Sequence, residues 1–451
     1  MYEQLVFIGP IVGIASIVAL CRSWVVGVVM MLLAAVLYAW FVELPGVPFG
    51  IIIYPSDVVS TVIFIAGILR TVFRFSNHAP LSFKLLAASL MISFTLGLIQ
   101  YGKPAGVDFR VMFSFLAAAI FFSTFQYNSV SVAKISNIWI LMACALAVIA
   151  WAVWAMDVAG MGVARRWIDS DPTGVKYRVL NSSTTYVIGV GLVMSVHRIM
   201  CMRGGTRRLW PICIALGATV LVLQHRSVWG ATLISLLVLI CFARSGRSRV
   251  FFYGALVALA LVIALPFMAS KLSGVWDSVS LQAERATQYR RGTVGGRLHA
   301  WQQVWEDWQR LGMGQQIIGK PFGSSYAGLK NVPHNCYLQV MYRTGYIGII
   351  LMLVAYGGTL IRLLLRRQIE YGDKTDPALL LCALIVGQMA FFMPYSFTAE
   401  QGLLMGVAMS FASEAFAVRR ILARTSRREG ALAPESKSLE AISPVRATLL
   451  S

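Results

Sequence analysis

The sequence predicts an all-α, polytopic transmembrane helical protein of about 12–13 helices interrupted by one large polar loop. Three observations predict it. Across 451 residues, 58% are hydrophobic, only 13% are charged, and the mean hydropathy is +0.72, which excludes a soluble globular chain. The apolar residues fall into runs near the length of a membrane span, rich in Gly, Ala, Phe and Trp and lacking strict alternation, so they read as helices and not as barrel strands. The one long polar insertion runs from Ala269 to Cys336.

In chain order the runs lie near Leu5–Leu20, Trp24–Phe41, Val58–Leu69, Leu85–Ile99, Val111–Phe125, Ile138–Met156 and Thr184–Met200. They continue at Pro211–Leu223, Val228–Phe242, Val250–Met268, Tyr337–Leu360, Ala378–Tyr395 and Leu403–Val418. The organisation is therefore N-terminal spans over 1–268, the large loop over 269–336, C-terminal spans over 337–418 and a basic tail over 419–451 that reads as disordered. Pro45-Gly46 and Pro48 mark an external turn.

Lys and Arg alternate between successive loops. Arg70, Arg74 and Lys84, then Lys134, Arg203, Arg207 and Arg208, Arg244 to Arg249, Arg366, Arg367 and Lys374, and the tail share one side. The positive-inside rule places that set in the cytoplasm and the large loop outside the inner membrane, in the periplasm. The net charge of +20 is then a topology signal with attraction to membrane lipids, and no compact basic domain exists to hold nucleic acid. Of seven cysteines only Cys336 adjoins the loop, so no disulfide is expected, and no CxxC pair suggests a metal site. The N-terminus lacks a basic n-region and reads as the first span.

Within the loop, Leu298, Trp301, Val304, Trp305, Trp308 and Leu311 recur at three- and four-residue spacing, with Gln302, Gln303, Glu306, Asp307 and Gln309 opposite. This is an amphipathic helix with Arg297 at its start. Its apolar face suits either the outer bilayer surface or the protein's own helices, since both bury the same stripe. Glycine-broken stretches flank it, Tyr289 to Gly296 and Gly312 to Gly323, where the backbone is free to approach a ligand closely or simply to turn.

At the loop's exit, His334-Asn335, nine residues, Gly345, two residues and Gly348 resemble the pattern of the O-antigen ligase and Wzy-type polymerase superfamily. Arg297 to Trp301 is similar to the Gly-Arg-x-x-x-Trp that opens the superfamily's loop helix. Gln224 to Trp229 resembles its Ser-Arg-Gly-like turn, and Arg178 to Asn181 its Arg and Asn-Pro region. Two departures stand out: His225 replaces a small residue before Arg226, and Ser182 replaces the Pro after Asn181. The resemblance implies a GT-C-like fold and a transferase that moves an undecaprenyl-diphosphate-linked O-antigen polysaccharide to the lipid A core. It implies no cofactor.

The residue types fit that chemistry. Guanidinium forks bind the oxygens of a leaving diphosphate in bidentate fashion and stay charged at any working pH. Arg226 and Arg297 are the candidates for leaving-group stabilisation, with Arg178, Arg290, Arg291 and Asn335 for binding diphosphate and saccharide. The acceptor hydroxyl must lose a proton as it attacks, and His334, with an unperturbed pKa near ~6.5, suits that base role. Plainer uses stand beside these: a lone external arginine anchors to headgroups, and His334 caps a helix starting at Asn335. Among the other histidines, His78 and His197 fall on the cytoplasmic side and His299 on the loop helix, which leaves His225 as the rival base. Gly345, Gly348 and Trp301 are expected to be structural.

Asp169-Ser170-Asp171 imitates a metal-binding DxD, but two carboxylates do not fill an octahedral shell, so no metal is expected. The runner-up function is a polymerase that takes another lipid-linked repeat as acceptor. Arg178 with Gly189 and Arg285 with Gly296 satisfy its Arg-x10-Gly spacing, which chance also supplies in a chain with 38 glycines. A protein O-oligosaccharyltransferase is less favoured. A transporter ranks last, because the spans carry few charges and no repeat.

Overall fold

A computed structural model describes residues 2–40, 47–49, 51–74, 77–161, 179–201, 208–243, 248, 250, 293–329, 333–369 and 376–413. The helices are α1 (Tyr2–Arg22), α2 (Trp24–Trp40), α3 (Pro55–Arg74), α4 (Leu81–Tyr101), α5 (Lys103–Phe122), α6 (Ser129–Val158) and α7 (Ser182–Cys201). They continue as α8 (Leu209–Val222), α9 (Arg226–Phe242), α10 (Thr293–Gln309), α11 (Met313–Ile318), α12 (Cys336–Ile369), α13 (Pro377–Phe391) and a final helix α14 over residues 399–413. One small antiparallel hairpin, β1 (Val47–Phe49) with β2 (Ile51–Ile53), joins α2 to α3.

Among the described residues, six helices are long and apolar enough to cross a membrane: α3, α4, α5, α6, α7 and α12. Five shorter apolar helices stand among them, including α8, α9 and α13. The expected run Val250–Met268 lies almost wholly outside the described residues, as does the tail. The chain is thus the all-α multi-pass membrane protein its composition predicts. All seven cysteines are free, Cys336 fully buried among them.

The core is continuous, with α7 at its centre. Nearly every α7 side chain from Thr184 to Met200 is buried, and its small residues permit close crossings: a Cβ at Gly191 would stand 2.4 Å from that of Ala143 on α6. Helices α9 and α13 pack antiparallel, Gly387 against the Ala231–Ser235 turn. Consecutive spans reverse at short turns, which collects side chains distant in sequence at each end of the bundle.

At one end, Arg70 donates to the carbonyls of Cys21 and Thr124 and lies 3.5 Å over the Phe125 ring. Arg366 donates to Phe411 O; Arg367 pairs with Asp376 at 2.9 Å and also reaches Phe242 O. Asp376 caps α13 through Leu379 N.

The opposite end carries the loop. The α10 stripe divides: Val304 and Trp308 are fully buried against Tyr326, Met341 and Tyr342, while Leu298 and Trp305 remain exposed. The protein's own helix α12 therefore covers half of the predicted face. Asp307, on the polar side, accepts from Lys320 at 2.9 Å and from the Tyr342 hydroxyl at 2.7 Å. Burial opposes its ionisation, but those bonds prevail and hold its pKa below the usual carboxylate range.

Candidate functional site

The site is built from the N-terminal turn of α12. Asn335 is buried, and its Oδ1 accepts from Leu338 N at 3.1 Å, so it and not His334 supplies the helix cap. Cys336 N donates to Phe392 O at 2.9 Å and Tyr395 O at 3.0 Å, and Ser396 Oγ donates to Gln339 Oε1 at 2.7 Å. These bonds fasten the start of α12 to the turn between α13 and α14. His334 is held just outside that junction. Its ring stacks on Tyr395 with centroids 5.8 Å apart and planes 13° from parallel, leaving an edge open to solvent.

Arg297, half-buried at the start of α10, donates through Nη1 to Pro394 O at 3.1 Å. The same turn thus carries both the imidazole and the guanidinium. Desolvation by the packed face, and secondly the charge of Arg297, lower the His334 pKa from the ordinary 6.5. Both effects favour the neutral ring, the form that accepts a proton.

Arg226 is the first residue of α9 and is half-buried. The antiparallel packing of α9 on α13, with Gly387 beside Ala231 and Ser235, brings the Arg226 end level with the Phe391–Tyr395 turn. Its neighbour His225 is buried; Nε2 lies 2.7 Å from Leu180 O and Nδ1 2.9 Å from Ser182 Oγ. A carbonyl only accepts, so Nε2 carries the proton and Nδ1 receives the serine hydroxyl. Both nitrogens are engaged, which makes His225 a clamp between the α8–α9 turn and α7. The two departures from the family pattern, His225 and Ser182, bond to each other.

Gly345 has φ +69° inside α12, and a Cβ there would stand 2.0 Å from Ile317 O. Only glycine permits that kink and that approach of α11. A Cβ at Gly348 would meet Thr344 Oγ1 at 1.6 Å. Trp301 is half-buried on α10. Arg178, Arg290 and Arg291 lie outside the described residues, as do Asp169 and Asp171.

Arg343 was not predicted as a site residue, although it stands in the His334 to Gly348 segment as a charge inside an apolar run. It is 1% exposed. It pairs with Asp108 at 2.7 Å, donates to Tyr326 Oη at 2.9 Å, Pro321 O at 2.8 Å and Ser324 O at 2.7 Å, and lies 4.0 Å over the Tyr326 ring. Asp108 also accepts from Gly323 N at 3.1 Å. This buried, fully bonded cluster ties the loop segment 321–326 to α5 and α12.

Beside the His334 turn opens a cavity of about 380 Å³, within the usual range of ligand sites. Its wall carries Tyr38, Tyr54, Asp57, Arg110, Asn181 and Glu400, over a floor that includes Ala34, Ala35 and Ala118. Arg110 pairs with Asp57 at 3.2 Å and lies 4.9 Å over Tyr54. Among the described residues no group of three or more His, Cys, Asp or Glu is arranged to hold a metal.

Residues 211–353 match the family model described as O-Antigen ligase. The matched segment contains Arg226, Arg297, His334, Gly345 and Gly348. No curated protein matches the chain. The match supports the O-antigen ligase superfamily for this protein.

Proposed function

We propose that this chain is a membrane glycosyltransferase that moves a saccharide from a lipid diphosphate, undecaprenyl diphosphate by resemblance, to the lipid A core. The observation that carries the reading is the convergence of His334 and Arg297 on the Pro394–Tyr395 turn, level with Arg226. In this reading the acceptor hydroxyl attacks C1 of the donor sugar as His334 takes its proton. The bond from C1 to the diphosphate oxygen breaks, and Arg297 and Arg226 receive the charge that develops there. Arg178, Arg290 and Arg291 are proposed to assist. The large loop and this end of the bundle face the periplasm of a Gram-negative inner membrane, as the distribution of Lys and Arg favours.

Purified protein incubated with a lipid-linked oligosaccharide, with and without lipid A core, tests it. Product only with the core supports the ligase; a ladder without it establishes the polymerase instead. Because arginine neutralises the phosphates, transfer is expected to persist in excess EDTA. Activity that returns only with Mg or Mn would bring Asp169 and Asp171 into the site.

A further inference from the structure

The cavity beside the His334 turn is lined by a different set of groups from the arginines near it. Arg110 is neutralised by Asp57, which also accepts from Tyr54 N at 2.9 Å. Glu400 has no ion-pair partner among the described residues, and burial holds its carboxyl pKa above the ordinary value although Thr398 donates to it. Its oxygens offer hydrogen bonds to hydroxyl groups and nothing to the charge of a diphosphate. Glu400 sits in the first turn of α14, whose start is fixed by Thr398 N donating to Gln401 Oε1 at 2.8 Å and Gln401 N to Thr398 Oγ1 at 3.3 Å. Glu400 accepts from Thr398 within this turn, and the same side chain lines the cavity.

The walls continue into the proposed reaction centre. Asn181, Ser183 and Thr184 line the cavity, and the adjoining Leu180 and Ser182 hold His225 beside Arg226. Thr398 and Glu400 line it too, just beyond the turn that holds Arg297 and faces His334. The lining offers carboxylate acceptors, an amide and phenol hydroxyls over a flat floor of small apolar side chains. That is the complement of a sugar, with hydroxyls at its rim and C–H bonds on its face.

We propose that this cavity is a saccharide subsite, which seats the sugar next to the reacting bond while the arginines seat the diphosphate. Glu400 is its principal hydroxyl acceptor. The inference rests on the transferase reading, and the sugar is either the donor's first residue or the acceptor's terminal residue.

Binding to the full-length protein in detergent tests it with three probes: farnesyl diphosphate, farnesyl diphosphate bearing a disaccharide, and lipid A with its core. Glu400→Gln keeps the size of the side chain and replaces its carboxyl with an amide. It is expected to weaken one of the two saccharide probes at least tenfold while farnesyl diphosphate binds as well as before. Loss on the disaccharide probe assigns the donor sugar; loss on lipid A core assigns the acceptor. Tyr38→Phe, which removes one hydroxyl from the wall, is expected to weaken the same probe about threefold. Equal loss on farnesyl diphosphate and saccharide, or no loss on either saccharide probe by both variants, overturns the subsite. Should wild-type protein ignore farnesyl diphosphate yet bind a saccharide probe through Glu400, the subsite stands and the transferase reading fails.

Discussion

At one end of the bundle Arg70, Arg366 and Arg367 lie on carbonyls, whereas at the other Arg226 begins a helix and Arg297 reaches the carbonyl of the Pro394 turn, near an open cavity. Three of the acceptors at the first end share a position in the fold: Cys21, Thr124 and Phe242 lie in or just past the last turn of a helix. Such carbonyls lack intrahelical donors and carry the negative end of the helix dipole. The arginines that signal orientation are also caps, and they close that end. At the second end α3, α5, α7, α9, α12 and α14 begin. Helix N-termini present N–H donors and a positive dipole, so arginines there add to a field that favours anions. The same residue type closes one end of this protein and, in the proposed reaction, readies the other for a diphosphate.

If that contrast is functional, the largest effects belong to the open end. His334→Ala is expected to lower turnover about a hundredfold to ten-thousandfold while leaving donor binding intact. Since Asn335 is the cap, His334→Asn and His334→Ser should be no better than Ala. An Asn variant with near-normal turnover at equal membrane levels would end the base assignment.

Arg297 comes next. Arg297→Lys should lose nearly as much rate as Arg297→Ala, about a hundredfold, because an ammonium is a point charge and not a fork. The pH profile separates its two parts. In the proposed mechanism His334 works as the neutral base, so the rate should fall as pH drops through its pKa, which burial first and Arg297 second hold below 6.5. Removing the charge with Arg297→Gln should move the residual acid limb to higher pH, and Arg297→Lys should leave it in place. A Lys variant with normal rate would reduce Arg297 to a headgroup anchor.

Much of this end was legible in the sequence, for reasons that differ residue by residue. The α10 stripe is visible because helical periodicity is local, and His334 and Arg297 because their neighbours resemble a family pattern. The reason for Gly345 was not visible: it is Ile317 O, on a helix 28 residues back whose position depends on the whole loop. Arg343 pairs with Asp108, and Glu400 and Tyr38 reach one cavity, through packing between helices far apart in the chain. No window of sequence contains both partners. The burial of Arg70 and Arg366 was hidden in the opposite way, because a loop-end arginine already had a sufficient explanation in topology.

The closed end should respond in stability and not in rate. Asp376→Ala removes the α13 cap and the partner of Arg367 together, so unfolding should become easier by about 1–3 kcal/mol, with a lower thermal midpoint in detergent. Turnover per folded molecule should stay within about twofold, because nothing at that end touches the reacting groups. A large fall in turnover at unchanged midpoint would mean that the two ends are coupled, and the contrast drawn from the arginines would fail.

The smallest effect concerns the pair that departs from the family pattern. His225 and Ser182 hold the α8–α9 turn to α7 through one hydrogen bond, and Leu180 O takes the other ring nitrogen. Removing either partner leaves a polar group underused in a buried place, and a neutral hydrogen bond contributes about 1 kcal/mol. Ser182→Ala should therefore cost about 1 kcal/mol, and His225→Ala more, since it also strands the Leu180 carbonyl. In the double variant Ser182→Ala adds almost nothing once the ring is gone, because the two changes share one bond. Strict additivity in a thermal-shift cycle would show that the bond is not formed in the membrane-solubilised protein. The rate should follow the same order at a few-fold, since Arg226 is the next residue and inherits its position from the clamp. A His225→Ala variant as inactive as the His334 variant would instead make His225 the base and place the chemistry at the α9 end of the site.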